Sequence, residues 1–90
     1  MRAGETEIQK QIYKGDVTMS IYERVGGKMR LIRILNGRTQ RDTAAALFIC
    51  PKHYGRIERG RINISLDLLV AFARVHGVDL AYLLQGEERR

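Results

Sequence analysis

A single cysteine, two histidines and no apolar run of membrane-spanning length leave this 90-residue chain few ways to cross-link a fold or run chemistry. With Cys50 alone no intrachain disulfide can form, and with only His53 and His76 beside it a structural zinc site has too few ligands. No pair of acids accompanies a glycine-rich pocket, and no nucleophile stands with a base, so neither an enzyme nor a cofactor is expected. No apolar stretch approaches the roughly 18 residues that span a bilayer, so no membrane partner is expected. The opening Met1-Arg2-Ala3-Gly4-Glu5-Thr6-Glu7 lacks the apolar segment and small-residue cleavage site of a secretory signal, and a cytoplasmic protein is the expectation. There is no internal repeat, no low-complexity stretch and no convincing alternation of a strand. Packing alone has to hold one domain together.

What the chain has in excess is positive charge. Sixteen Lys and Arg against ten Asp and Glu give +6 and a sequence pI near 10.0, a balance that favours polyanionic partners. The charge is concentrated. Arg38, Arg41, Lys52, Arg56, Arg59 and Arg61 face only Asp42 and Glu58 between residues 38 and 61.

The pattern of caps and apolar residues predicts an all-α, compact five-helix bundle. Residues 1–19 are polar, with only Ile8 and Ile12 at helical spacing, and read as an N-terminal arm; 20–86 form the domain and 87–90 a charged tail. Ser20-Ile21-Tyr22-Glu23 fits a capping box, and Ile21, Val25, Met29, Ile32 and Leu35 recur at the spacing of a buried stripe up to the stop at Asn36-Gly37. Gly26-Gly27 predicts a kink there or a later start, because two interior glycines cost about 2 kcal/mol relative to alanine. Thr39 caps a short helix that buries Thr43, Ala44 and Leu47. Pro51 opens a third, with Tyr54 and Ile57 inward and Gly60 as its stop. Ser65 caps a fourth, with Leu66, Leu69, Val70, Phe72 and Ala73 toward the core, ending at Gly77. Asp79 caps a fifth, with Leu80, Leu83 and Leu84 closing the bundle.

Two short helices joined by a tight turn, the second carrying basic side chains, is the arrangement by which a helix-turn-helix enters the major groove. Ala44 is small where the two helices approach, Leu47 and Ile57 supply their contact, and Ile49 plugs the turn. Thr39-Gln40, Ala44, Leu47, the string Arg56-Ile57-Glu58-Arg59-Gly60, and Asn63-Ile64-Ser65-Leu66 followed by Leu69 and Gly77-Val78 resemble the lambda-repressor-like, or XRE, family of bacterial and phage regulators. The resemblance covers residues 20–85.

It implies a regulator of transcription, expected to be a repressor, that binds double-stranded DNA as a homodimer. Gln40 matches the glutamine that holds a phosphate and braces the reading helix, with Thr39 beside it. Lys52 and Arg56 fall where side chains meet base edges and suit guanine O6 and N7, and His53 lies between them. Arg59, Arg61 and Asn63 fall along the sugar-phosphate backbone and would position rather than specify. Glu58 is read as structural, paired with a neighbouring arginine or the local backbone, and Arg30 and Arg33 as solvated charge. The homodimer contact is expected on Leu80, Tyr82, Leu83 and Leu84 or on the arm.

Three positions depart from the family. Phe48 stands at a turn position that often holds glycine, so that the turn is distorted or Phe48 makes an exposed contact; Thr43 replaces a leucine, and Cys50 replaces a better Ser or Thr cap. Pro51 offsets the last by presetting the backbone. A thiol at a helix N-terminus is also open to oxidation, which leaves a redox switch beside the bland reading of an imperfect cap. The rival function is a protein-interaction module or antitoxin on the same fold, with a possible protein partner in place of DNA; apolar residues on the third helix would favour it. RNA is less favoured without exposed aromatic pairs to stack bases.

Overall fold

Ser20 starts the first helix by exchanging hydrogen bonds with Glu23: its hydroxyl oxygen accepts from the Glu23 N–H at 3.1 Å and its own N–H donates to Glu23 Oε1 at 2.9 Å. This end marks the beginning of residues 20–85, the part of the chain that the computed structural model describes. The arm at 1–19, the tail at 87–90 and Gly86 lie outside the described residues. The described residues form five helices: α1 (Ile21–Leu35), α2 (Gln40–Ala46), α3 (Pro51–Glu58), α4 (Leu66–His76) and α5 (Leu80–Leu84). No strand occurs among the described residues.

The double glycine neither kinks nor delays α1, which runs unbroken through it. Gly26 is buried where the last turn of α3 crosses, and a Cβ there would lie 2.5 Å from the Glu58 carbonyl oxygen and 2.8 Å from its carbon. The missing side chain is what lets two backbones touch, and that packing outweighs the helix penalty. Gly27 faces open space. Val25, Met29 and Ile32 form the inward stripe as predicted, but Leu35 is 76% exposed. The 3.6-residue period carries it off the core side, and Arg33 takes the buried place instead.

Thr39 caps α2 through a second capping box with Asp42, and Thr43 and Ala44 behind it are fully buried. Ser65 caps α4, its hydroxyl accepting from the Leu68 N–H at 3.2 Å, and Gly77 ends it in the left-handed conformation at φ 65°. Leu69, Phe72 and Ala73 fill the core from α4, whereas Leu66, expected inward, is exposed at the helix start, and Val70 is only half-buried. Asp79 precedes α5 without making a side-chain cap bond. A helix of five residues turns a single side chain fully inward, so Leu83 is buried, Leu80 half-buried and Leu84 exposed. Tyr54, Phe72, Met29 and Leu83 are the largest side chains fully removed from water. Around them α3 packs on α1 and α2, and α5 closes the other side against α1 and α4.

His76 completes the core in an unusual state. Its ring stacks on Phe72 with centroids 4.1 Å apart, and its Nδ1 lies 3.0 Å from the Phe72 carbonyl, which can only accept, so Nδ1 carries the proton. Nε2 is buried without a hydrogen-bond partner. Burial therefore holds the imidazole below its ordinary value, against the smaller opposing pull of the Phe72 carbonyl.

Two outcomes follow from this packing. Gly26→Ala should destabilise the protein by about 1 to 3 kcal/mol or more through overpacking, while Gly27→Ala should stabilise it by about 0.5 to 1 kcal/mol, both read from urea midpoints. Because the folded His76 binds its proton less readily than the unfolded one, the unfolded chain takes up more protons as pH falls below the ordinary value of 6.5. Stability should decline from there downward, and His76→Phe should flatten that part of the pH profile of thermal melting.

Candidate nucleic-acid interface

The α3 helix starts without help from its cap, since the Cys50 side chain makes no cap hydrogen bond and Pro51 at the first helical position presets the backbone. The preceding turn depends on Phe48, which takes the left-handed conformation at φ 60°. That conformation lets the Ile49 N–H reach back to the Ala44 carbonyl at 3.0 Å, closing α2 as a glycine would. The turn is thus not distorted; Phe48 is 94% exposed and carries a backbone cost of about 1 to 2 kcal/mol that glycine would avoid. Ile49 packs against the core from this turn.

From the cap onward α3 divides into two faces. Tyr54, Gly55, Ile57 and Glu58 are buried, and Lys52, His53, Arg56 and Arg59 are exposed. Lys52 and Arg56 are four residues apart, His53 and Arg56 three, Arg56 and Arg59 three, so these side chains share one side of the helix. Gly60, at φ 70°, ends α3 against α1, where a Cβ would fall 2.6 Å from Glu23 Cα. In the loop beyond, Ile62 and Ile64 pack on the core and thereby turn Arg61 and Asn63 to the solvent.

What orients α3 is a buried ion pair. Arg33 on α1 donates from Nε to Glu58 Oε2 at 2.6 Å and from Nη2 to Glu58 Oε1 at 3.1 Å, while its Nη1 donates to the Arg38 carbonyl at 2.9 Å. Gln40, the first residue of α2, donates from Nε2 to Glu58 Oε1 at 2.9 Å. One carboxylate thus joins α1, α2 and α3. Burial alone would raise the Glu58 carboxyl, but the donors around it, Arg33 foremost, outweigh burial and hold it below its ordinary value. Tyr54 lies close enough to feel both charges, and burial followed by the Glu58 carboxylate drives its phenol well above the usual range; its hydroxyl makes no hydrogen bond of good geometry.

Arg33, read from the sequence as solvated charge, is therefore a positioning residue. The signal was available: it lies one turn beyond Met29 on the buried side of α1, and Glu58 inside the α3 contact required a cation. Gly55 was also missed. A Cβ there would come 3.3 Å from Gln40 Oε1 and 3.3 Å from Arg59 Nη1, so both side chains converge over this glycine.

The remaining candidates sit as follows. Thr39 spends its N–H and its hydroxyl lone pair on Asp42, leaving the hydroxyl proton to donate outward. Those two bonds, the backbone one first, hold the Asp42 carboxyl below its ordinary value. With Glu58 buried and paired, Asp42 is the one exposed acid between residues 38 and 61, where Arg41, Lys52, Arg56, Arg59 and Arg61 are exposed. Cys50 is exposed and free. No group of His, Cys, Asp and Glu suited to a metal forms among the described residues, and none of their helices is long and apolar enough to cross a membrane.

A short helix locked across another, with its outer side basic and a basic loop at its end, defines a helix-turn-helix DNA-binding unit. A family model described as helix-turn-helix matches residues 29–83. Two solved structures of the clp gene regulator ClgR from Corynebacterium glutamicum are similar at 31% identity. One matches with a TM-score of 0.68 over 72% of this chain and 84% of that chain, the other with 0.70 over 72% and 69%. No curated protein matches the chain. The chain belongs to the XRE-type, lambda-repressor-like helix-turn-helix family, whose members are DNA-binding transcriptional regulators and not enzymes.

The ion pair makes its own prediction. Arg33→Met should cost about 3 to 5 kcal/mol by leaving a buried carboxylate unpaired, and Arg33→Met with Glu58→Met should recover most of it, as seen in denaturant melts of the three proteins. Because the folded Glu58 carboxyl lies below the ordinary 4.5, its stabilisation is present above that pH and is lost as pH falls further. The double variant should lack this acid limb.

Proposed function

We propose that the protein is a sequence-specific repressor that reads the major groove of double-stranded DNA with α3. Lys52, His53 and Arg56 contact base edges, and Thr39, Gln40, Arg59, Arg61 and Asn63 contact phosphates. The domain that binds spans 20–86, with an arm at 1–19 and a tail at 87–90 as accessory segments. The observation that carries this reading is the outer side of α3, where Lys52, His53 and Arg56 are all exposed on a helix that the Arg33–Glu58 pair holds at a defined angle. A lysine or arginine there donates to guanine O6 and N7, and an arginine does so through two parallel bonds.

The protein acts as a homodimer on two half-sites about one helical turn, roughly 34 Å, apart, as others of this motif do. Tyr82 and Leu84, both partly exposed on α5, support a dimer contact there, whereas Leu83 is fully buried. Occupying the groove excludes other proteins from it, so repression is the outcome that binding alone supplies. Access to a bacterial chromosome or phage genome makes the cytoplasm its place of action. The structurally similar ClgR is a regulator of the clp gene, which supports a regulatory role here.

Selection from random duplex DNA at physiological salt should return a two-fold symmetric motif; recovery of no motif would replace this reading with a protein-interaction module. Arg56→Ala should then cost about 1 to 3 kcal/mol on the selected site and relax base choice, while Arg59→Ala should weaken every sequence alike and flatten the salt dependence. Equal, unselective losses from both would remove Arg56 from the base-reading set.

A further inference from the structure

Phe48 combines two features that seldom coincide: its backbone is in the left-handed conformation at φ 60°, and its side chain is 94% exposed. A lone exposed aromatic needs no explanation by itself. A bulky residue held at positive φ does, because glycine would form the same turn at lower cost and so exposed a ring returns almost no core contact for the strain. The neighbouring Ile49 takes the inward place, and its N–H closes α2 on the Ala44 carbonyl. The turn therefore uses the Phe48 backbone and not the ring. Strain of this kind, held where packing does not demand it, points to a use outside the chain.

The position of Phe48 in the fold identifies the ligand. Gln40 and Glu58 join the start of α2 to the end of α3, so the turn stands at the opposite end of this helix pair, where α3 begins. Phe48 precedes Lys52 by four residues, and every side chain from Cys50 to His53 is exposed. No acidic residue stands between Asp42 and Glu58, a stretch in which Lys52 and Arg56 are both exposed. The ring is thus set at the basic start of α3, in a chain whose family binds DNA. The major-groove edge of duplex DNA offers one apolar group that an aromatic side chain packs on, the C5 methyl of thymine. We propose, resting on α3 as the reading helix, that Phe48 is a further specificity-determining residue, which packs on a thymine methyl beside the base pair that Lys52 contacts.

The test uses the full chain and the duplex selected for it, with each thymine replaced in turn by deoxyuridine, which removes the methyl and keeps the base pairing. At one thymine in each half-site the replacement should weaken wild-type binding by about fourfold, the worth of one buried methyl. Phe48→Asn removes the ring and keeps a residue that tolerates the left-handed conformation. It should bind the unmodified duplex about fourfold less tightly and make no distinction between thymine and deoxyuridine at that position, with a thermal midpoint no lower than the wild type's. A role confined to the shape of the turn would instead weaken both duplexes by one factor and leave the methyl dependence in place, which would overturn the proposal. So would unchanged binding by the variant, a selected half-site with no thymine on either strand at that end, or a wild-type dimer that Phe48→Asn dissolves in sedimentation, which gives the ring to a second copy. A wild type that selects no motif at all would remove the reading of α3 together with this contact, whereas a selected motif without the methyl coupling removes the contact alone.

Discussion

The architecture depends on one buried carboxylate. Glu58 takes two hydrogen bonds from Arg33 and one from Gln40, so a single side chain ties α1, α2 and α3 together. Such a pair adds little net stability over a well-packed apolar contact, because desolvating both charges offsets most of their attraction. What it adds is direction. Apolar side chains tolerate sliding and rotation at small cost, whereas a forked guanidinium on a carboxylate accepts one geometry, and a third ligand on the same oxygen fixes the neighbouring helix as well. For a helix that carries Lys52, Arg56 and Arg59 exposed along one side, the pair supplies a defined orientation rather than another increment of stability.

The glycines serve the same end by different means. Gly26 lets the carbonyls at the end of α3 press on the α1 backbone, and Gly55 makes room for Gln40 and Arg59 above the middle of α3. With the ion pair they bring three helices closer than side chains would permit. The acid that closes the network is removed from the surface in doing so. The basic side of α3 and the loop after it are consequently more positive than a count of charges along the chain suggests. Steering of a polyanion benefits directly from that withdrawal.

Much of this was legible beforehand. The capping signals of Ser20, Thr39 and Ser65, the stops at Gly37, Gly60 and Gly77, and the proline opening α3 all act within four residues, a range over which hydrogen bonding and backbone sterics are settled by neighbouring residue types. The number and order of the helices followed from them. Less legible was the fate of residues whose burial depends on what crosses them. Leu35 and Leu66 look like core by spacing and face water; Arg33 looks like surface and is buried; Gly26 looks like a helix defect and is a contact. Asp79 shows the same limit at a cap, since the right residue at the right place made no bond.

The helix-turn-helix frame and the basic outer side of its second helix were thus determined by the sequence alone, because short-range caps and a periodic apolar stripe specify helices locally. Tertiary structure decided which arginine is a structural ligand and which faces solvent. Arg33 and Arg56 are chemically identical, and only the crossing of α3 over α1, which places a carboxylate within 2.6 Å of one and solvent around the other, assigns them opposite roles.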